Sequence, residues 1–203
     1  MIRVAFIIDI HNIQWNGGLN YYRNLINAVC DLPDNKISPV IITGSSVDES
    51  VFRDYNNVEI VKTDILERYS PSWFLHRSAD HIFSRDILLE KLLIKNQIDL
   101  LSHSQYTINP RPIVPVCAWI PDFQQLHMPD FFTDREVVMR EIGFKNLCAR
   151  SNRVILSSYD AQKDLSNFAP EAVDKSRVLQ FVAYPKYESQ EIDLRMLEQK
   201  YDF

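Results

Sequence analysis

Only four glycines and three cysteines occur among the 203 residues, and the 22 Lys and Arg side chains are outnumbered by 27 Asp and Glu. Each shortage excludes something. A formal charge of -5 and a sequence pI near 5.5 leave no basic excess for holding a phosphate backbone, which argues against nucleic acid as a partner. Cys30, Cys117 and Cys148 are an odd number, lie far apart and form no Cys-x-x-Cys pair, so reduced, packed thiols are expected. No apolar run approaches the roughly 18 residues of a membrane span. The start Met1-Ile-Arg-Val-Ala-Phe-Ile-Ile-Asp turns acidic too early for a secretory signal, so a cytoplasmic chain without a transmembrane segment is the expectation.

Several chemical signatures are missing as well. There is no Gly-x-Gly-x-x-Gly, no P-loop Lys-Ser/Thr and no Gly-x-Ser-x-Gly elbow, which disfavours a resident dinucleotide, an ATPase and a serine nucleophile. Of the five histidines, His76 and His81 are five apart and do not share a helix face as paired ligands would. No metal site and no cofactor are expected.

What the chain does hold is 46% hydrophobic and 24% charged residues, the balance of a soluble globular protein. Short β-rich runs alternate with longer helical patterns. Residues Arg3 to Ile10 are almost unbroken apolar, as in a strand buried on both faces of a parallel sheet. A helix follows on the spacing of Leu19, Tyr22, Ile26 and Val29. Further strands are expected at 40–43, 58–61, 99–103, 113–120, 153–156 and 178–182. A partly helical stretch should open at Ser70-Pro71 and reach about Asn96. Thr133-x-x-Glu136 has the spacing of a capping box, and Ser157-x-x-Asp160 opens another helix. Connections this long cannot be hairpins, so the fold class expected is α/β, a Rossmann-like doubly wound, mostly parallel sheet of about seven strands with helices on both faces. The domain should cover residues 1–187, and 188–203 reads as a charged helical tail that begins a linker.

Ligands of such sheets sit beyond the carboxyl ends of the strands. Gly17 and Gly18, between the first strand and its helix, read either as an anion cradle, where backbone N–H groups approach a phosphate, or as a plain turn. After the fourth strand comes His103-Ser104-Gln105-Tyr106, and after the fifth Pro121-Asp122-Phe123-Gln124-Gln125-Leu126-His127. Both put imidazole, carboxamide and carboxylate groups where a polyhydroxylated ligand could be gripped, and both read equally as loop capping. Asp122 stands out because its carboxylate emerges from a buried strand. Ser157-Ser158 reads as helix capping.

RVAFIIDI with WNGGLNYYRNLINAV, AWIPDFQQLHMPDFF, and SNRVILSSYDAQKDLSNFAP with VLQFVAYP together resemble the N-terminal half of a retaining glycosyltransferase of the GT-B fold, specifically glycosyltransferase family 4. The resemblance covers most of residues 1–187. It implies an acceptor-side domain, with the nucleotide sugar held mainly by a second, absent domain as substrate rather than cofactor. It further implies that Gly17 and Gly18 lie against the donor diphosphate, that Asp122 is the catalytic contact, and that Asn16, His103, Gln105, Gln124 and His127 bind acceptor. Many members carry His-Asp where this chain has Pro121-Asp122, so only the aspartate matches. The family's role implies a saccharide or lipid-linked acceptor, cell-surface polysaccharide synthesis, peripheral contact with the inner membrane face, and inactivity of these 203 residues alone. A non-catalytic Rossmann-like binding domain and half of a sugar-nucleotide epimerase stay open as alternatives.

Overall fold

The computed structural model describes residues 1–9, 16–56, 58–75, 86–106 and 108–181. Seven parallel strands form one sheet in the order β3-β2-β1-β4-β5-β6-β7. They are β1 (Ile2–Ile7), β2 (Ile37–Gly44), β3 (Glu59–Thr63), β4 (Leu100–Ser104), β5 (Val116–Ile120), β6 (Arg153–Leu156) and β7 (Ser176–Val178). Besides a helical segment at 71–75, α1 (Asn16–Cys30), α2 (Ile87–Lys95), α3 (Gln124–His127), α4 (Asp134–Arg150) and α5 (Tyr159–Phe168) are the α-helices with both ends among the described residues. The chain winds outward from β1 to β3, then crosses back to β4 and winds the other way. A crevice therefore opens between the carboxyl ends of β1 and β4.

Alternation along β1 explains the near-continuous apolar run. Val4, Phe6 and Ile8 pack on one side with Tyr21, Tyr22 and Ile26 of α1, whereas Ala5 and Ile7 pack on the other with Leu89 and Leu93 of α2. Ala118, Ile120, Val154 and Leu156 form a further core with Leu147 of α4 and Leu165 of α5. Local signals set the helix limits. Asp86 accepts from Leu89 N at 2.9 Å to start α2. Its end has the Ile98 N to Leu93 O and Gln97 N to Ile94 O bonds of a Schellman motif, with Gln97 left-handed at φ 54°. The Thr133–Glu136 capping box starts α4 as expected.

Several boundaries differ from the sequence reading. The first strand leaves the ladder after Ile7 rather than Ile10, and its pairing with β4 stops at Ala5–Leu101. The fifth begins at Val116 rather than Ile113, because Pro112 and Pro115 have no N–H for the ladder. The seventh is 176–178, not 178–182. Its last bond runs from Leu179 N to Leu156 O, and Val182 lies outside the described residues. The cap of α5 is Ser158, which accepts from Ala161 N, and not Ser157. Of the stretch opening at Ser70-Pro71, residues 71–75 and 87–95 are helical, and 76–85 lie outside the description. The expected tail and the domain limit at 187 lie outside it too.

Candidate functional site at the carboxyl edge of the sheet

At the carboxyl end of β4 the ladder is irregular. Leu101 pairs with Val116 and Ser104 with Ala118, so β4 advances three residues where β5 advances two. His103 sits in that bulge at φ 51°, a left-handed conformation that costs a non-glycine residue about 1 kcal/mol or more. Hydrogen bonds hold it there. Its Nε2 meets the Tyr21 hydroxyl at 2.8 Å and its Nδ1 meets the Ser102 hydroxyl at 2.9 Å, while the Tyr22 hydroxyl donates to its carbonyl at 2.7 Å. Burial pushes the imidazole pKa down to about 3, so the ring is neutral. The same burial raises the Tyr21 and Tyr22 hydroxyls above their ordinary range.

Trp119 of β5 completes this knot. Its indole stacks on Tyr21 at 4.4 Å and donates to the Ser157 hydroxyl at 3.3 Å. The aromatic contacts thus join α1 to the carboxyl ends of β4, β5 and β6. Nearby, the Tyr106 hydroxyl donates to Asp9 Oδ2 at 3.0 Å, linking the loops after β1 and β4. Ser104 is spent on its own loop, bonding both the N–H and the carbonyl of Tyr106.

Beside the knot lies an open cleft of about 500 Å³. Gln105 enters it from β4, and Asp122 and Gln124 enter it from the loop and short helix after β5. Trp119, Pro121, Phe144 and Leu147 supply apolar surface, and Arg140 and Gly143 face it from α4. Asp122 Oδ1 accepts a long 3.3 Å bond from Gln124 N, which leaves its other oxygen without a partner among the described residues. The Arg140 guanidinium rests over the Phe132 ring, 4.6 Å from its centre. The arrangement presents a carboxylate, two carboxamides and a cation above an apolar wall, which suits a ring with hydroxyls on its edge and C–H groups on its face.

The expected site residues divide accordingly. Gln105, Asp122 and Gln124 come together in the cleft. His103 does not line it; the imidazole is buried, with Nε2 bonded to the Tyr21 hydroxyl and Nδ1 to the Ser102 hydroxyl. His127 does not line the cleft either, since its Nε2 bonds Asp164 Oδ2 of α5 at 2.8 Å on the exposed side. Gly17 and Gly18 lie inside the first turn of α1 rather than in a loop before it, and no glycine among the described residues has a positive φ. The turn reading is thereby corrected, because nothing in the backbone angle demands glycine there. Gly17 is exposed and Gly18 buried. A Cβ added at Gly17 would meet nothing within 4 Å. Asn16 opens α1, and the placement of its side chain lies outside the description.

Arg140, Gly143 and Phe144 are the cleft residues that sequence reasoning missed. Together with Leu147 they fall at i, i+3, i+4 and i+7 on α4, a helical stripe headed by a cation, and that spacing was the available signal. Among the described residues no group of three or more His, Cys, Asp or Glu side chains is placed to hold a metal ion. No helix among them is long and apolar enough to cross a membrane.

No protein-family model matches the chain, and no curated protein does either. Solved structures do. The crystal structure of Anabaena Alr3699/HepE in complex with UDP and glucose aligns with 98% of this chain at 12% identity and a TM-score of 0.50. A glycosyltransferase from Rickettsia africae ESF-5 aligns with 99% at 10% identity and a TM-score of 0.45. The likeness is one of fold: a Rossmann-like α/β sheet of seven parallel strands, shared with the HepE structure. The chain spans about half the length of these structures, 50% and 49% respectively.

Proposed function

We propose that this chain is the acceptor-side half of a retaining glycosyltransferase similar to family 4, which moves a sugar from a nucleotide sugar to a hydroxyl of a saccharide or lipid-linked acceptor. The observation that carries the reading is the cleft that gathers Gln105, Asp122 and Gln124 over an apolar wall at the carboxyl edge of the sheet. Carboxamides recognise hydroxyls as donor and acceptor at once, and the apolar wall takes a sugar face. Asp122 has an oxygen free to orient the reacting hydroxyl or to offset positive charge growing on the transferred sugar. The first turn of α1 would present its N–H groups and the positive end of the helix dipole to the donor diphosphate. In a retaining path the departing phosphate takes the acceptor proton on the same face. The protein then supplies position and charge compensation more than a nucleophile. Synthesis of a cell-surface polysaccharide at the inner face of a membrane is the setting that fits this chemistry.

The test is sugar transfer from a panel of nucleotide sugars by the complete enzyme, whether its donor-binding half follows on this chain or is a separate one. Asp122→Asn should lower turnover about 100-fold, comparable to loss of one charge-stabilising group, with little change in thermal stability. Equal losses of turnover and stability would make Asp122 structural. Absence of transfer from every donor would favour a non-catalytic binding domain.

A further inference from the structure

The one cation in the cleft, Arg140, has no carboxylate within ion-pair distance among the described residues. Glu136, one turn before it on α4, is already engaged: its Oε2 accepts from the Thr133 N–H at 2.8 Å and from the Thr133 hydroxyl at 2.9 Å. The Thr133 backbone and hydroxyl bonds hold the Glu136 carboxyl below its usual range, with a smaller contribution from the Arg140 charge, so Glu136 is first a cap and only a weak, exposed neighbour of the guanidinium. Arg140 is half-buried, lines the cleft and has its guanidinium over the Phe132 ring, a contact that restrains it before any ligand arrives. Asp122, the cleft's carboxylate, is spent in part on the Gln124 N–H.

We propose that Arg140 makes this cleft selective for a saccharide that carries an anionic group, a phosphate or a carboxylate, close to the hydroxyls read by Gln105, Asp122 and Gln124. A guanidinium fork matches two oxygens of such a group in one plane, and its stacking on Phe132 lowers the ordering needed on binding. The inference rests on the acceptor-cleft reading above and names the chemical class of that acceptor. A sugar phosphate and a uronic acid share the chemistry, and the measurement separates them.

Glucose, glucose 1-phosphate and glucuronate are titrated into the 203-residue protein, with the amide signals of Gln124 and Gly143 followed by NMR. The expected result is that one or both anionic sugars bind about tenfold more tightly than glucose, a difference of about 1.4 kcal/mol. That gain, read as the ratio of anionic-sugar to glucose affinity within each variant, should vanish in Arg140→Gln. Arg140→Lys, which keeps charge and helix propensity, should retain the gain for glucose 1-phosphate and provides the second variant if Arg140→Gln fails to fold. The larger Arg140-dependent gain identifies phosphate or carboxylate. Equal binding of glucose and both anionic sugars, or a gain that survives Arg140→Gln, overturns the inference and leaves the acceptor-cleft reading standing. Failure of all three sugars to move the signals overturns both.

Discussion

The Tyr21 hydroxyl and His103 Nε2 lie 2.8 Å apart, tying the first turns of α1 to the bulge of β4. This bond is why a histidine in a left-handed conformation can be kept at the carboxyl edge: the ring is locked between two hydroxyls, and its carbonyl, turned out of the ladder, takes the Tyr22 hydroxyl. The consequence is that α1, whose first turn carries Gly17, is held in register with β4 and β5 by buried aromatic side chains.

A pH dependence follows from that neutral ring. The imidazole titrates near 6.5 when free and at about 3 when buried here. Between those values the unfolded chain carries a proton that the folded chain excludes. The contribution is therefore intact above pH 6.5 and lost as pH falls towards 3, by at most about 1.4 kcal/mol per pH unit. Urea midpoints measured from about pH 7 down to about pH 4 should fall more steeply for the native sequence than for His103→Gln. Parallel slopes would show that His103 is charged in the folded protein.

The parallel sheet was legible because double burial leaves a continuous apolar signature, as in Val4 to Ile8, and because the Thr133–Glu136 box is a local pattern. The strand ends were less so. The apolar run continues through Ile8, yet the β1–β4 pairing stops at Ala5–Leu101, a tertiary limit with no local code. His103 looked like a ligand because position in a doubly wound sheet favours that reading. Only the Tyr21 and Ser102 hydroxyls, one of them 82 residues away, show that its nitrogens are taken. Arg140 escaped notice for the opposite reason: an arginine on a polar helix is ordinary until Phe144 and Leu147 are seen to face the same cleft.

Gly17 separates stability from function. In the first turn of α1 an added Cβ meets nothing, so Gly17→Ala should keep the fold and stabilise it by up to about 1 kcal/mol through lower backbone entropy in the unfolded chain. Gly17→Leu should also fold, yet its side chain would fill the space through which a diphosphate approaches the helix N–H groups. In the complete enzyme, turnover should drop while the melting temperature stays level. An unchanged turnover would remove the diphosphate assignment from this turn. Gly18 is the poorer probe, since it is buried and a bulky replacement would disturb packing first.

Gln125 is the opposite case, a buried polar group that the fold does not satisfy. It is 2% exposed, and neither its Oε1 nor its Nε2 has a hydrogen-bond partner among the described residues, although its neighbours Gln124 and Asp122 face the cleft. An unmade bond of this kind costs about 1–3 kcal/mol, and replacing the group by an apolar one of the same shape recovers much of that. Methionine matches glutamine in length and is likewise unbranched at Cβ and Cγ. Gln125→Met should therefore raise unfolding stability by about 1 kcal/mol or more, a gain of roughly 2–4 °C in melting temperature per kcal/mol for a chain of this size. Calorimetry decides it: a fall in stability would mean that the carboxamide is bonded in solution, and that its burial in α3 contributes to the fold instead of opposing it.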